Sequence, residues 1–443
     1  MRVLVSTYGC QMNEHDSQKI LSLLTEEGHE STQDPREADC IILNTCSVRE
    51  KPEQKLYSAL GRLLPLKKRK PSLIIGVGGC VAQQAGERLL ERAPHLDFVF
   101  GTHQIQLVPE LVRMAGQGIR SCRVDITEDV GSLHYSPRIA QGQVRAFVTI
   151  MQGCDNFCSY CIVPHVRGPE QSRPEREILE EVKKLALLGV KEVMLLGQNV
   201  NSYGRTLGDP KGFVRLLEAI EEIEGIERIR FTTSHPKDLS LELMDAFAGL
   251  GKVCEHLHLP VQSGSTRVLK AMNRGYTREE YLGKVEALRE RIPGIALTTD
   301  VIVGFPGETE KDLELTLDLL ERVRFDSIYS FKFSPRPFTK AAAVHDSVPK
   351  EVKAHRLRLV QELQESITSS VLESCVGSLQ EVLVEGPSLY GSKQVTGRTR
   401  TFRIVHMPGE PELLRGKLVR ARVERSLKHS LWARSLDGEG SFQ

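Results

Sequence analysis

Short apolar runs alternate with segments of helical periodicity along this chain, twice over, and the runs are near-continuous rather than alternating. Strands of that kind are buried on both faces, so helices must cover a parallel sheet from both sides. The first series places strands over Arg2–Tyr8, Cys40–Asn44, Leu73–Val77 and Asp97–Phe100. Helices fall near Ser17–Glu27, Pro52–Leu66, Gln83–Arg92 and Leu107–Ala115, which predicts an α/β doubly wound parallel sheet over residues 1–118. The basic run Lys67–Lys70 reads as a solvated helix C-terminus favoured by the helix dipole. After a polar linker around Ser132–Gly142, six further strand–helix units predict a partial (βα)6 barrel over 140–370. Its strands are expected near Ala146–Met151, Val193–Leu196, Ile229–Thr233, His256–Val261, Leu297–Val303 and Ile328–Phe333. A long polar helix, Lys350–Glu373, leads into short alternating strands with Gly and Pro turns, which predict a small β-barrel over 373–440.

The bulk numbers narrow the setting. Hydrophobic residues make up 40% and charged residues 26% of the 443, as in ordinary globular proteins. No apolar run reaches the roughly 18 residues of a membrane span, and the first residues enter a strand pattern, so no membrane association and a cytoplasmic location are expected. The net charge of +1 does not advertise a polyanionic partner. From Gly391 to Gln443, however, 11 Lys and Arg face 5 Asp and Glu, a local excess suited to RNA. Arg398, Arg400, Arg403, Lys417, Arg420 and Arg422 are the candidates for phosphate contact.

Ten cysteines in a cytoplasmic chain point to metal or catalytic use rather than disulfides. Cys154, Cys158 and Cys161 lie within eight residues, just after a predicted strand. Three thiolates on a tight loop hold three irons of a [4Fe–4S] cluster and leave the fourth open. Zinc is the alternative, but it would need a second Cys/His pair, and His165 is the nearest candidate on the same loop. Cys10, Cys46 and Cys80 are distant in sequence, yet each follows a strand of the first series. Carboxyl ends of neighbouring strands converge on one crevice, so these three thiols predict a second open-corner cluster. Cys40 sits at the other end of its strand, roughly 20 Å from Cys46, and reads as a small buried apolar residue. Cys122, Cys254 and Cys375 lack such partners.

The motif C-x3-C-x-Φ-C, with Tyr160 as its aromatic, resembles the radical S-adenosylmethionine superfamily. YGCQMNEHDS (Tyr8–Ser17), NTCSVREK (Asn44–Lys51) and GGCVAQQ (Gly78–Gln84) resemble the N-terminal domain of the methylthiotransferases. Within that family they are similar to the tRNA-2-methylthio-N6-dimethylallyladenosine synthases, and HLHLPVQSGS, DVIVGFPGET and FSPRP continue the likeness through the barrel. The C-terminal β region resembles the RNA-binding TRAM domain of the same family. One departure stands out: where the family usually reads Gly-Thr-Pro after SPRP, this chain has Phe338-Thr339-Lys340.

The resemblance implies two [4Fe–4S] clusters and S-adenosyl-L-methionine as cofactors, a methylthio transfer to carbon 2 of the prenylated adenosine at tRNA position 37, and an anticodon stem-loop as partner. An external electron donor and sulfur source would be needed, and no stable protein partner is expected. It also implies that one S-adenosylmethionine methylates a sulfur held at the auxiliary cluster, while another supplies the radical. Tyr160, Gln198, Asn199, Ser234, Gln262 and Asp300, at or facing the carboxyl ends of the barrel strands, would then contact S-adenosylmethionine or the adenine. His256 and His258 share that inward face. A sister methylthiotransferase, acting on threonylcarbamoyladenosine or a ribosomal-protein aspartate, is the nearest alternative. A non-catalytic iron–sulfur RNA-binding or redox-sensing protein is a remote one.

Overall fold

The computed structural model describes residues 1–47, 50–127, 142–391 and 393–436. Its first unit is a six-stranded parallel sheet in the order Glu30–Ser31, Arg2–Tyr8, Cys40–Thr45, Ile74–Gly79, Phe98–Phe100, Ser121–Arg123. Strands Cys40–Thr45 and Ile74–Gly79 are buried along their whole length, as near-continuous apolar runs require. Helices cover both faces, and two apolar clusters form, one on each side of the sheet.

Three local expectations need correcting. The first helix spans Gln11–Glu26 rather than starting near Ser17, because Cys10 caps it: both the Cys10 amide and its thiol donate to Asn13 Oδ1. The segment foreseen as one helix over Gln83–Arg92 is two, Cys80–Ala85 and Glu87–Arg92, broken at Gly86 with φ +54°. The basic run is not simply solvated: Lys67 Nζ reaches Asp97 Oδ2 at 2.8 Å and Lys70 Nζ bonds Asp39 Oδ1, tying the helix Glu50–Arg69 to strand ends. The linker foreseen at Ser132–Gly142 lies outside the described residues except for Gly142.

The second unit has two parallel three-stranded sheets. One comprises Arg145–Thr149, Glu192–Leu196 and Arg228–Phe231; the other His256–His258, Ala296–Val303 and Ser327–Lys332. A parallel bridge, Ile229 to Val253, connects the halves into a partial barrel of six strands. Alternation sorts the side chains. Val148, Val193, Leu195, Ile229 and Leu257 pack outward against the helices Glu175–Leu187, Gly212–Glu221 and Arg278–Arg291. Their neighbours, Arg145, Phe147, Glu192, Met194, Arg228, Arg230 and His256, face the barrel interior.

The third unit is a closed five-stranded β-barrel around Val382, Val384, Val395, Val405, Val419, Val423 and Leu431. It sits against the amino-terminal ends of the central strands. Arg228 and Arg230, the largest fully buried side chains among the described residues, donate to carbonyls of that unit at Glu381, Arg398, Thr399 and Arg400. Phe402, at φ +69°, stacks on His256 at 4.9 Å between ring centroids, with the Arg230 and Arg398 guanidinium groups over its face. Phe402 and Met12, from the two flanking units, meet Phe147, Met194 and Leu196 in one apolar cluster inside the barrel. Among the described residues no helix is long and apolar enough to cross a membrane.

Candidate functional site

Cys154, Cys158 and Cys161 occupy the loop after Met151–Gln152, at the carboxyl ends of the barrel strands. The loop is held in a shape few sequences allow. Gly153 has φ +79°, and a Cβ there would stand 1.8 Å from Pro169 O. Its amide donates to Gln198 Oε1 at 2.6 Å, and Asn273 Nδ2 donates to Phe157 O at 3.0 Å. The thiols lie within one another's electrostatic reach. Burial pushes the Cys154 thiol up to about 11 and that of Cys161 to about 12, with Cys158 adding to both. Such burial disfavours the thiolate, and an iron ion bound there would be a compensating cation.

Arg274, which sequence reasoning passed over, supplies another. Its guanidinium is buried, and Nη1 stands 3.3 Å from Cys158 Sγ and 3.5 Å from the Tyr160 hydroxyl. Nη2 donates to Pro260 O and Nε to the Tyr276 hydroxyl, so the fork is fixed in direction. No periodicity marks an arginine on a turn; a Tyr two residues on, in RGY, is the faint signal left in the sequence.

Of the three distant cysteines, Cys10 and Cys46 touch, and Cys80 lies within electrostatic reach of Cys10. Cys10 caps its helix, Cys46 follows Cys40–Thr45, and Cys80 opens the helix Cys80–Ala85 after Ile74–Gly79. A hydrogen bond with Cys46 is the largest cause that lowers the Cys10 thiol to about 6, and the Arg167 cation assists. Cys80 is pushed up by burial, with Arg167 acting against it. A cuboidal cluster asks each thiolate for a different iron, so the thiols of a set need not converge on one point. Among the described residues no three such side chains stand close enough to share one metal ion. Cys40, as expected, is buried at the far end of its strand, where burial holds its thiol near 12.

The central unit completes this second site. Arg167 is buried, bonds Asp16 Oδ2 at 2.7 Å, and keeps its Nη1 without a protein partner beside Cys80 and Cys10. Backbone contacts lock its position: Thr102 Oγ1 donates to Val166 O at 2.6 Å, and His103 Nε2 contacts Arg167 O at 2.9 Å. Cys80 packs against Ile162 and Val166, and Ile162 directly follows Cys161. The two thiol sets therefore flank one small apolar contact between the units.

The other expected site residues divide. Ser234 Oγ and Asn199 Oδ1 are buried at the strand ends without protein partners, joined by Gln152 Nε2, and these orphans suit a polar ligand. Asn199 Nδ2 is committed to Asp238 Oδ2 at 2.7 Å, and Gln198 braces the cluster loop. Gln262, at φ +72°, exchanges backbone bonds with Asp300 O and the Ile302 amide. Asp300 Oδ2 stands 3.6 Å from His258 Nε2 in the half-buried interior. His256 lies lower, against Phe402, away from the strand carboxyl ends. The basic candidates for RNA contact depart most from expectation. Arg398 pairs with Glu385, Arg400 with Glu255, and Arg403 with Asp326, so these guanidinium groups pair with carboxylates at the junction with the barrel. Arg422 donates to Gly377 O. Lys417 remains exposed.

Solved structures share this fold. A cobalamin-dependent S-adenosylmethionine radical enzyme, OxsB, aligns over 82% of this chain and 56% of its own, with TM-score 0.54 and 16% identity. The radical S-adenosylmethionine methyltransferase TsrM from Kitasatospora setae aligns over 86% and 77%, with TM-score 0.54 and 15% identity. Residues 148–320 match the Radical SAM superfamily, 2–101 the Uncharacterized protein family UPF0004, and 373–436 the TRAM domain. The fold and the thiol loop thus define a radical S-adenosylmethionine enzyme. Near-full-length relatives narrow this further. Proteins named tRNA-2-methylthio-N(6)-dimethylallyladenosine synthase are 52% identical in Syntrophotalea carbinolica, covering 96% of this chain and 98% of that one. In Geobacter metallireducens the identity is 54%, over 96% of each. The chain belongs to the tRNA-2-methylthio-N6-dimethylallyladenosine synthase family.

Proposed function

We propose that this chain adds a methylthio group to carbon 2 of N6-dimethylallyladenosine at position 37 of tRNA. The labour is divided among the parts: 1–118 carries the auxiliary cluster, 140–370 the radical chemistry, and 373–440 RNA binding. Cys154, Cys158 and Cys161 hold one [4Fe–4S] cluster, and Cys10, Cys46 and Cys80 the other. When bound, S-adenosylmethionine and the clusters supply the methyl group, the sulfur and a 5′-deoxyadenosyl radical.

The chain's own residues create the conditions for that chemistry. Gly153 and Gln198 fix the cluster loop, and the Arg274 fork directs an N–H at Cys158, offsetting negative charge on sulfur. Ser234 Oγ and Asn199 Oδ1 offer hydrogen-bonding positions at the strand ends for the polar groups of S-adenosylmethionine. Phe402 from below, and Met12 against Thr149 and Leu196 at the strand carboxyl ends, line the barrel with apolar side chains, which would limit the groups a radical can reach. The target adenine enters from the open mouth, splayed from a single-stranded loop at a cost of a few kcal/mol. Arg167, pinned by Asp16, keeps a donor at the auxiliary thiols, where anionic sulfur is to be handled. An external reductant and a sulfur source complete the reaction.

What carries this reading is the pairing of two three-thiol sites across one contact, Cys80 on Ile162. The test is anaerobic reconstitution with reductant, S-adenosylmethionine and tRNA bearing the prenylated base. Wild type should release 5′-deoxyadenosine and yield methylthiolated tRNA. Cys154→Ala should yield neither while keeping about half the iron. Cys80→Ala should still release 5′-deoxyadenosine without methylthiolation. A fully loaded wild type that cleaves no S-adenosylmethionine refutes the proposal, and a mass shift at threonylcarbamoyladenosine instead redirects the substrate.

A further inference from the structure

We infer that Phe338 and Lys340 form a stacking lip at the mouth of the barrel, which holds a base neighbouring the modified adenosine. The inference rests on the tRNA reading above and concerns residues that reading leaves unused. Phe338 is 62% exposed, the ring of a large apolar residue set out in solvent where nothing in the fold needs it. Its φ is +67°, a conformation that favours glycine and that an aromatic residue adopts only when its surroundings enforce it.

The surroundings do enforce it, and they tie it to the radical site. Thr339 is buried, and both its amide and its hydroxyl donate to Arg336 O, closing a tight turn. The Ala341 amide donates to Ser159 O, inside the cluster loop, at 2.7 Å. Ala341 itself is buried in a cluster with Met272, Phe305 and Phe333, against Tyr160. Anchored on both sides, Phe338 projects outward beside His165, ring centroids 5.9 Å apart and tilted 45°. His165 is also exposed and belongs to the turn of helix that follows Cys161. Lys340, exposed as well, stands two residues beyond Phe338 and puts a cation on the same turn. Pro335 and Pro337 stiffen the approach, so little ordering entropy remains to be lost on binding.

Exposed rings with an adjacent cation, on a rigid support, are what unstacked bases bind: the ring takes the π-face and the lysine the phosphate. The occupant follows from position. The lip lies beside the cluster loop, so the nucleotide it can hold is one next to the base inserted in the barrel. Arg398, Arg400 and Arg403, paired at the domain junction, leave the phosphate contact to other cations of this kind.

The test exploits the strained backbone. Phe338→Gly relieves the left-handed conformation, so the variant should melt at the same temperature as wild type or higher. It should nevertheless bind an anticodon stem-loop carrying N6-dimethylallyladenosine about tenfold more weakly, the loss of one base stack, by fluorescence anisotropy with the reconstituted full chain. Lys340→Ala should lose less, and its loss should vanish at high salt. Abasic substitution beside the modified base should weaken wild type and leave Phe338→Gly unchanged, and the side that couples identifies the stacked base. Equal affinity of wild type and Phe338→Gly, or independent effects of variant and abasic site on both sides, overturns the inference while leaving the tRNA reading intact. Equal RNA affinity with slower reduction of the radical cluster by a protein electron donor also overturns it, and assigns the lip to that donor. Failure of wild type to bind the RNA overturns the lip and the substrate reading together.

Discussion

Arg230→Met probes how the C-terminal barrel is fastened beneath the radical site. Arg230 has no exposed side-chain surface and bonds Glu192 Oε2 at 2.8 Å; Glu192 is as deeply buried. Its other nitrogens donate to Thr399 O and Arg400 O, each at 2.7 Å, and its guanidinium covers the Phe402 ring at 4.9 Å. Methionine fills similar volume and removes the charge. Glu192 is then left with Arg145 at 3.9 Å as its closest cation. Stranding one member of a buried pair costs about 3–5 kcal/mol. The two carbonyls each lose a charged donor worth about 1.5–3 kcal/mol. These losses share one guanidinium and do not add, so about 5 kcal/mol is expected for the variant.

The sign of the second substitution makes the reasoning refutable. Glu192→Gln alone strands the arginine and should destabilise. Added to Arg230→Met, it removes the stranded carboxylate and should recover about 2 kcal/mol. Because the bonds cross a junction, the loss should appear first as undocking. Amides around Thr399–Arg403 should exchange faster by two orders of magnitude or more, ahead of those in the barrel's own core. Urea melts of the two single variants and the double, with hydrogen exchange on each, measure both quantities. A double variant no more stable than Arg230→Met would show that Glu192 is not stranded, and the account of the junction would fail.

Three further outcomes are expected. Gly153→Ala places a Cβ 1.8 Å from Pro169 O at a φ of +79°, so it should lose the radical-site iron and spare the auxiliary iron, by iron analysis beside Cys154→Ala. Arg274→Gln removes a charged N–H donor 3.3 Å from Cys158 Sγ, so the radical-site potential should fall by about 60–100 mV in an EPR-monitored titration; an unchanged potential refutes the contact. Lys19 is buried, and desolvation, ahead of its charged neighbours, lowers it to about 8. The native state then binds fewer protons than the unfolded chain between pH 8 and 10.5, so stability should rise with pH across that window. The gain relative to Lys19→Met should be on the order of 2–3 kcal/mol by chemical denaturation, and parallel curves would refute it.

The parts legible in the sequence are those written in one element at a time. Near-continuous apolar runs marked the strands expected at Cys40–Asn44 and Leu73–Val77, found at Cys40–Thr45 and Ile74–Gly79, because a strand covered by helices has no wet face. The placement of Cys10, Cys46 and Cys80 on one edge of the sheet followed from topology, since each stands just past the carboxyl end of one of three adjacent parallel strands. Boundaries failed where one side chain decided them, at the Cys10 cap and at Gly86. Arg274 and Arg167 escaped because a buried arginine carries no periodic signal, and their value lies in what another segment brings to them.

The basic residues of the C-terminal unit show the same limit from the other side. A local excess of positive charge looks alike whether it faces RNA or carboxylates of the same chain. Here Arg398, Arg400 and Arg403 meet Glu385, Glu255 and Asp326, while Arg228 and Arg230 of the central barrel reach back to carbonyls of the C-terminal unit. Two charged residues one apart in the strand RIRF were the available clue. In a strand covered by helices outside, alternation sends both into the barrel, and buried guanidinium groups demand acceptors there. The central strands supply one, at Glu192, and the carbonyls come from the C-terminal unit. The barrel's own sequence therefore requires a partner beneath it, and the C-terminal unit supplies the acceptors that two buried guanidinium groups need.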